Sequence, residues 1–196
     1  MGKNLKIFIA LSLIGVWIGI FSFGFQNSTR ATETQEEEAA PSHYDKLKDL
    51  DWLIGTWIDE DPNISIETKT NWVASKNYIH QYFSMKTENQ EPMEGEQIIA
   101  WDPLHKEVRS WVFDSDGGLG EGKWVKKNNR WLVNMSYILP NGLKASSINI
   151  YTKIDDNSIS WESVGRDVDG QILPNIEPVK IIRKTAQENS RRIDEK

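Results

Sequence analysis

The chain has 196 residues, of which 38% are hydrophobic and 27% are charged, so it can form one globular domain with a core and additional segments. A net charge of -6 argues against a nucleic-acid partner, because phosphate binding depends on clustered Lys and Arg. The lack of cysteine excludes disulfides, thiolate metal sites, thiol nucleophiles and the lipid-modified cysteine of a bacterial lipoprotein.

Residues 1–26 are typical of a signal peptide or a membrane anchor. Residues 7–25 form an uncharged apolar run that is long enough to cross a bilayer, and Lys3 and Lys6 precede it. Cleaved signals usually have a shorter apolar region, so both interpretations stay open. The two lysines favour a cytoplasmic N-terminus, which would place the rest of the chain on the periplasmic or extracellular face. We therefore expect an exported protein, held at the membrane by residues 7–25 if the segment is not cleaved.

The remaining chain divides into a tether, a domain and a tail. Residues 27–41 are polar and acidic and predict a solvated tether. Residues 42–185 have the patterning of a folded domain. Residues 186–196 are charged and lack periodicity, which predicts a disordered tail.

The domain begins with a predicted short helix that ends at Gly55. Ser42 and Asp45 have the spacing of a capping box. One helical face carries four apolar residues: Tyr44, Leu47, Leu50 and Ile54. So short an amphipathic helix needs a partner surface, and we expect it to cover a sheet.

The rest of the domain alternates with a period of two and predicts about ten strands. Short turns rich in Asn, Asp, Gly and Pro separate them, which is typical of antiparallel neighbours. The predicted strands are residues 56–59, 64–72, 78–86, 93–102, 107–114, 119–126, 130–139, 144–154, 158–167 and 178–185. Closure of such a meander protects its edge strands, so we expect an all-β, up-and-down antiparallel barrel, with a β-sandwich as the alternative.

The segment LDWLIGTWI at residues 50–58 resembles the calycin group, which includes lipocalins and nitrobindin-like barrels. With residues 100–124 and 148–184, it also resembles a domain of unknown function in exported planctomycete proteins, often found behind a SnoaL-like domain. This resemblance implies a barrel outside the cytoplasm and brings no activity. Nitrobindin-like domains hold haem through a histidine in a late strand. The last histidine here is His105, so we expect neither haem nor another cofactor.

The sequence contains no strong catalytic or metal-binding motif. Its three histidines are scattered, which argues against a zinc site. Asp114, Asp116 and Gly117 look superficially like a calcium loop, but the closing ligand is missing, and a hairpin turn with Asp side chains on turn amides is the simpler interpretation.

The strongest candidate for a site is a mixture of tryptophan and polar residues on alternating strands. In residues 107–114, Val108, Ser110 and Val112 share one face, and Arg109, Trp111 and Phe113 share the other. We favour the larger face pointing inward, where the arginine would pair with a carboxylate or bind an anion. The candidate ligand-binding residues are Trp101, Arg109, Trp111, Glu121, Trp124, Asn149, Trp161 and Arg166.

Three functions are compatible with this pattern. The first is a lipocalin-like binding module for a small hydrophobic, amphipathic or anionic molecule. The second is an enzyme or an accessory domain that uses Asp114, Asp116 or Glu121 as a base, which would require a cavity that holds a carboxylate. The third is a structural envelope domain with a solid core. We favour the binding module over an enzyme.

Overall fold

The computed structural model describes residues 42–60, 64–73, 75–88 and 90–184. The expected signal peptide or anchor, the tether and the C-terminal tail lie outside these ranges. Among the helices within these ranges, none is both long and apolar enough to cross a membrane.

The described residues form one short helical segment followed by eleven strands. The helical segment consists of α1 (Tyr44–Leu47) and a 3-10 helix (Lys48–Leu53). The strands are β1 (Gly55–Glu60), β2 (Ile64–Val73), β3 (Tyr78–Thr87), β4 (Met93–Asp102), β5 (Glu107–Asp114), β6 (Leu119–Lys127), β7 (Arg130–Ile138), β8 (Lys144–Lys153), β9 (Ser158–Val168), β10 (Gln171–Ile172) and β11 (Ile176–Arg183).

The strands close into a ten-stranded antiparallel barrel. Each strand from β1 to β9 pairs with the next, and β11 pairs with both β9 and β1. The two-residue strand β10 lies beside the end of β9. The all-β closed barrel with a short N-terminal helix is therefore confirmed, and the sandwich alternative is wrong.

The helical segment covers one end of the barrel. Leu47, Leu50 and Leu53 are buried and pack on apolar side chains from β3 to β7. Their spacing of three residues matches the period of a 3-10 helix, which places all three on one face. This explains why most of the segment is not the α-helix that the sequence predicts, and why Leu53 replaces Ile54 on the buried face. Lys126 on β6 anchors the segment through Asp49, with 2.7 Å between Nζ and Oδ2.

Trp57 and Arg183 join the helical segment to the barrel. The Trp57 indole is buried and donates a hydrogen bond to the Leu53 carbonyl at 2.9 Å. The Arg183 guanidinium lies 4.2 Å from the Trp57 ring and donates to the carbonyls of Ile54 and Trp52 at 2.5 and 3.1 Å. Gly55 connects helix to strand with a φ of +122°, a conformation that L side chains rarely adopt.

Candidate functional site

The barrel encloses a cavity of about 360 Å³ next to the helical segment. Leu53 and Val133 belong both to its wall and to the core under the helix, so the cavity begins where that core ends. Most of the wall is apolar: Leu53, Trp57, Ile66, Phe83, Met85, Met93, Val112, Val133, Met135, Tyr151, Ile159, Trp161 and Ile181. The described polar lining residues are Asp59, Thr68, Gln81, Gln97 and Asn149. This volume is near the lower limit for small-molecule sites.

Two glutamines lie side by side on the cavity wall. Gln81 on β3 and Gln97 on β4 are cross-strand partners, which brings their side chains together on the inner face. The Gln81 amide nitrogen donates to the hydroxyl of the fully buried Thr70 at 3.0 Å. This contact fixes the Gln81 amide and leaves its carbonyl oxygen directed away from Thr70. Gln97 is only 8% exposed, and its amide forms no hydrogen bond with any residue that the structure describes.

The opposite wall carries an amide and a phenol. Asn149 on β8 accepts a hydrogen bond through Oδ1 from the Ser147 hydroxyl at 3.3 Å, which leaves its amide nitrogen as a donor. Tyr151 and Trp161 are cross-strand partners on β8 and β9, and both line the cavity, which places the phenolic hydroxyl on its wall. Removal from water inside the barrel raises the pKa of Tyr151 to about 12, so the phenol stays neutral at ordinary pH.

A second pocket of about 270 Å³ adjoins the first and shares Met135 and Asn149 with it. It lies beside β8, where the pairing with β9 shifts register between Ser146 and Ile148. Arg166 contributes the cationic group of this pocket and donates to the Pro174 carbonyl at 2.9 Å. A charged group at this position could meet the polar end of a molecule in the cavity.

Five of the eight candidate residues belong to the inner parts of the barrel. Asn149 and Trp161 line the cavity, and Arg166 lines the second pocket. Trp124 is buried, donates to the Ser110 hydroxyl at 3.0 Å and stacks on Tyr151, so it belongs to the core. Trp101 packs against this core at the covered end, with the Lys46 ammonium 5.4 Å from its ring.

The expected inward orientation of Arg109, Trp111 and Phe113 is wrong. The side chains of Val108, Ser110 and Val112 are buried, whereas Phe113 is 57% exposed. The reason is the tight inner packing of the neighbouring strand. A side chain at Gly122, which pairs with Ser110, would place its Cβ 2.5 Å from the Ser110 hydroxyl and 2.8 Å from the Met135 sulfur. The fully buried Ser110 therefore lies directly against the Gly122 backbone, and Met135 and Val133 fill the space beside it.

Arg109 instead forms part of a charged cluster on the outer surface, with Glu121 at 2.5 Å, Asp102 at 3.4 Å and Glu107 at 3.8 Å. Its side chain is 19% exposed and lies over the Trp111 ring, 5.7 Å from the centroid. Arg109 is therefore paired with carboxylates, one of the two expected alternatives, but outside the barrel. A ligand in the cavity would not contact Arg109, Trp111 or Glu121.

The three carboxylates that we considered as bases also lie outside the cavity wall. Glu121 and Asp116 are exposed. Asp114 accepts the backbone N–H groups of Asp116 at 3.0 Å and Gly118 at 2.8 Å, as expected for a turn, and it accepts a short hydrogen bond from the Tyr137 hydroxyl. Burial, followed by this contact with Asp114, raises the pKa of Tyr137.

The described residues include no cluster of three His, Asp or Glu side chains that could hold a metal ion.

Gln81, Gln97 and Tyr151 line the cavity but were not predicted from the sequence as site residues. The signal for the two glutamines was an amide at the inward position of a strand whose other inward positions, such as Ile79 and Ile99, are apolar. The signal for Tyr151 was its place two residues after Asn149 on the same face.

No protein-family model matches the sequence, and no curated protein is significantly similar to it.

Proposed function

We propose that the barrel is a binding module that holds a small, largely apolar molecule in its interior cavity. The observation that carries this proposal is the cavity of about 360 Å³ with its mostly apolar wall. A protein interior is normally packed without voids that exceed a water molecule. An apolar cavity of this size is therefore better explained by a ligand than by a structural role.

The end of the barrel away from the helical segment offers a route into the cavity. Ile66, Met85 and Met93 line the cavity near that end and are only partly buried, although they face inward. Met85 and Met93 are cross-strand partners, so two flexible side chains lie together at the opening. Methionine adapts to different ligand shapes more easily than branched side chains do.

The charge of the wall favours an uncharged or amphipathic ligand. Among the described lining residues, none is Lys, Arg or His, and one is Asp. An anion buried there would lack a cationic partner, which is costly. The anionic ligand considered from the sequence would need its charged group near Arg166 in the second pocket.

The proposal includes the resemblances and the placement inferred from the sequence. The barrel, with its helical segment running into Gly55-Thr56-Trp57, is the architecture that the resemblance to lipocalins and to exported planctomycete domains implies. The apolar run at residues 7–25 supports an exported module, tethered to the membrane if that run is not cleaved.

The test is to fill the cavity and measure binding of N-phenyl-1-naphthylamine, an uncharged probe whose fluorescence rises in apolar sites. Val112 lines the cavity, so Val112→Phe should weaken binding by about tenfold or more, since the larger ring occupies ligand space. Val125 is exposed on the outside of β6, so Val125→Phe is the matched control and should leave binding unchanged. No binding to the wild type, or equal effects of the two variants, would contradict the proposal.

A further inference from the structure

The hydrogen-bonding groups of the cavity restrict what the ligand can be, and this inference rests on the proposed function. Gln97 is more than nine-tenths buried, faces the cavity and has no partner among the described residues. Buried polar groups are almost always hydrogen-bonded, and an unsatisfied one is costly. Its amide donor and acceptor are therefore available to a molecule in the cavity.

The neighbouring groups offer a defined pattern. Gln81 donates to Thr70, so it presents its carbonyl oxygen as an acceptor beside the Gln97 amide. Across the cavity, Asn149 retains a donor, because its oxygen already accepts a hydrogen bond from Ser147, and the Tyr151 phenol offers a hydroxyl donor beside it. The wall thus provides donors and acceptors on uncharged side chains, next to an apolar space.

We propose that the ligand is an uncharged, planar molecule whose apolar body carries an amide-type edge, with an N–H group next to a carbonyl oxygen. A primary amide such as Gln97 pairs with this edge through two parallel hydrogen bonds, one donated and one accepted. A hydrocarbon of the same shape would displace water from Gln97 without replacing its hydrogen bonds. The cavity should therefore discriminate against it.

The experiment compares three two-ring molecules by displacement of N-phenyl-1-naphthylamine. These are 2-quinolinone, which has the amide edge, naphthalene, which has the same shape without it, and 2-naphthoate, which is anionic. We expect the wild type to bind 2-quinolinone at least about tenfold more tightly than naphthalene, because a site built to hydrogen-bond rejects the analogue that cannot.

Gln97→Leu should remove this preference, because it should weaken the binding of 2-quinolinone and strengthen the binding of naphthalene. Its matched control is Asn134→Leu, which makes a similar change at an exposed position of β7 and should leave both affinities unchanged. A thermal melt of Gln97→Leu without ligand checks that the barrel is folded, since replacing an unpartnered buried amide by an apolar group should hold or raise the melting temperature.

Each other outcome overturns a distinct statement. Equal binding of naphthalene and 2-quinolinone, unaffected by Gln97→Leu, would overturn the amide-edge inference and leave the binding function intact. Tightest binding of 2-naphthoate, lost in Arg166→Gln, would overturn it in favour of an anionic group in the second pocket. Failure of all three molecules and of the fluorescent probe to bind would overturn the proposed function as well.

Discussion

Gly118 shows how a single missing side chain shapes the β5–β6 turn. Gly117 has a φ of +92° and open space around it, so its conformation requires glycine. Gly118 is different, because a Cβ there would lie 2.5 Å from Asp114 Oδ2 and 2.8 Å from the Tyr137 ring. Gly117 is therefore required by its backbone conformation, whereas Gly118 is required by the close approach of the Asp114–Tyr137 pair.

This difference predicts how two alanine substitutions respond to a change at Tyr137. Gly117→Ala should destabilise the protein by about 1 kcal/mol through backbone strain, and Gly118→Ala by about 1–3 kcal/mol through overpacking. In a Tyr137→Leu background the cost of Gly118→Ala should shrink, because the ring that it meets is gone. The cost of Gly117→Ala should not change. Urea unfolding of the wild type, the three single variants and the two double variants measures this, and equal coupling of both glycines to Tyr137 would contradict the steric explanation.

At the scale of a strand, the face of β5 that the sequence suggests as a binding site carries an ion cluster on the outer surface instead. Arg109 lies among Asp102, Glu107 and Glu121 on the outer surface, and Lys123 adds a second cation 3.2 Å from Glu107. These ion pairs are only partly screened by solvent, since the Arg109 and Asp102 side chains are 19% and 14% exposed.

Arg109→Leu should therefore reduce the free energy of unfolding by about 1–3 kcal/mol, because it leaves the three carboxylates without their shared partner. It should leave binding of N-phenyl-1-naphthylamine unchanged, because the guanidinium does not reach the cavity. Chemical unfolding and fluorescence titration measure the two effects. A loss of binding in a folded Arg109→Leu variant would show that this surface acts on the cavity.

The strands could be predicted from sequence because turn chemistry marks their ends. β4 and β5 begin and end at the predicted residues, since Asp102-Pro103 and Asp116-Gly117 interrupt the alternation. The inward face of β5 could not be predicted from β5 itself, because both faces contain apolar side chains. It depends on β6, where Gly120 and Gly122 share the inner face of Trp124 and leave space that Tyr137, Ser110 and Met135 already fill. Gln97 was missed because its role depends on the neighbouring Gln81.

The whole barrel places Tyr151 and Tyr137 where ionisation of their phenols opposes folding. Burial raises the pKa of Tyr151 to about 12 and also raises the pKa of Tyr137, which in addition contacts Asp114. The unfolded chain binds and releases these protons near pH 10. A raised folded-state pKa contributes stability that is complete below about pH 10 and is lost as pH rises through the folded-state pKa.

Between about pH 9 and pH 11.5, the free energy of unfolding of Tyr151→Phe should therefore decrease by about 1–2 kcal/mol less than that of the wild type. Water that enters the cavity would bring the difference toward the lower value. Tyr137→Phe should also reduce the loss of unfolding free energy over this pH range. Tyr78 is exposed on β3, and Tyr78→Phe is the control that should keep the wild-type slope. Guanidinium unfolding at several pH values gives each slope. If Tyr151→Phe and wild type lose stability in parallel, the phenol ionises as freely in the folded barrel as in the unfolded chain, and it is then too well solvated to donate its hydrogen bond to a ligand in a dry cavity.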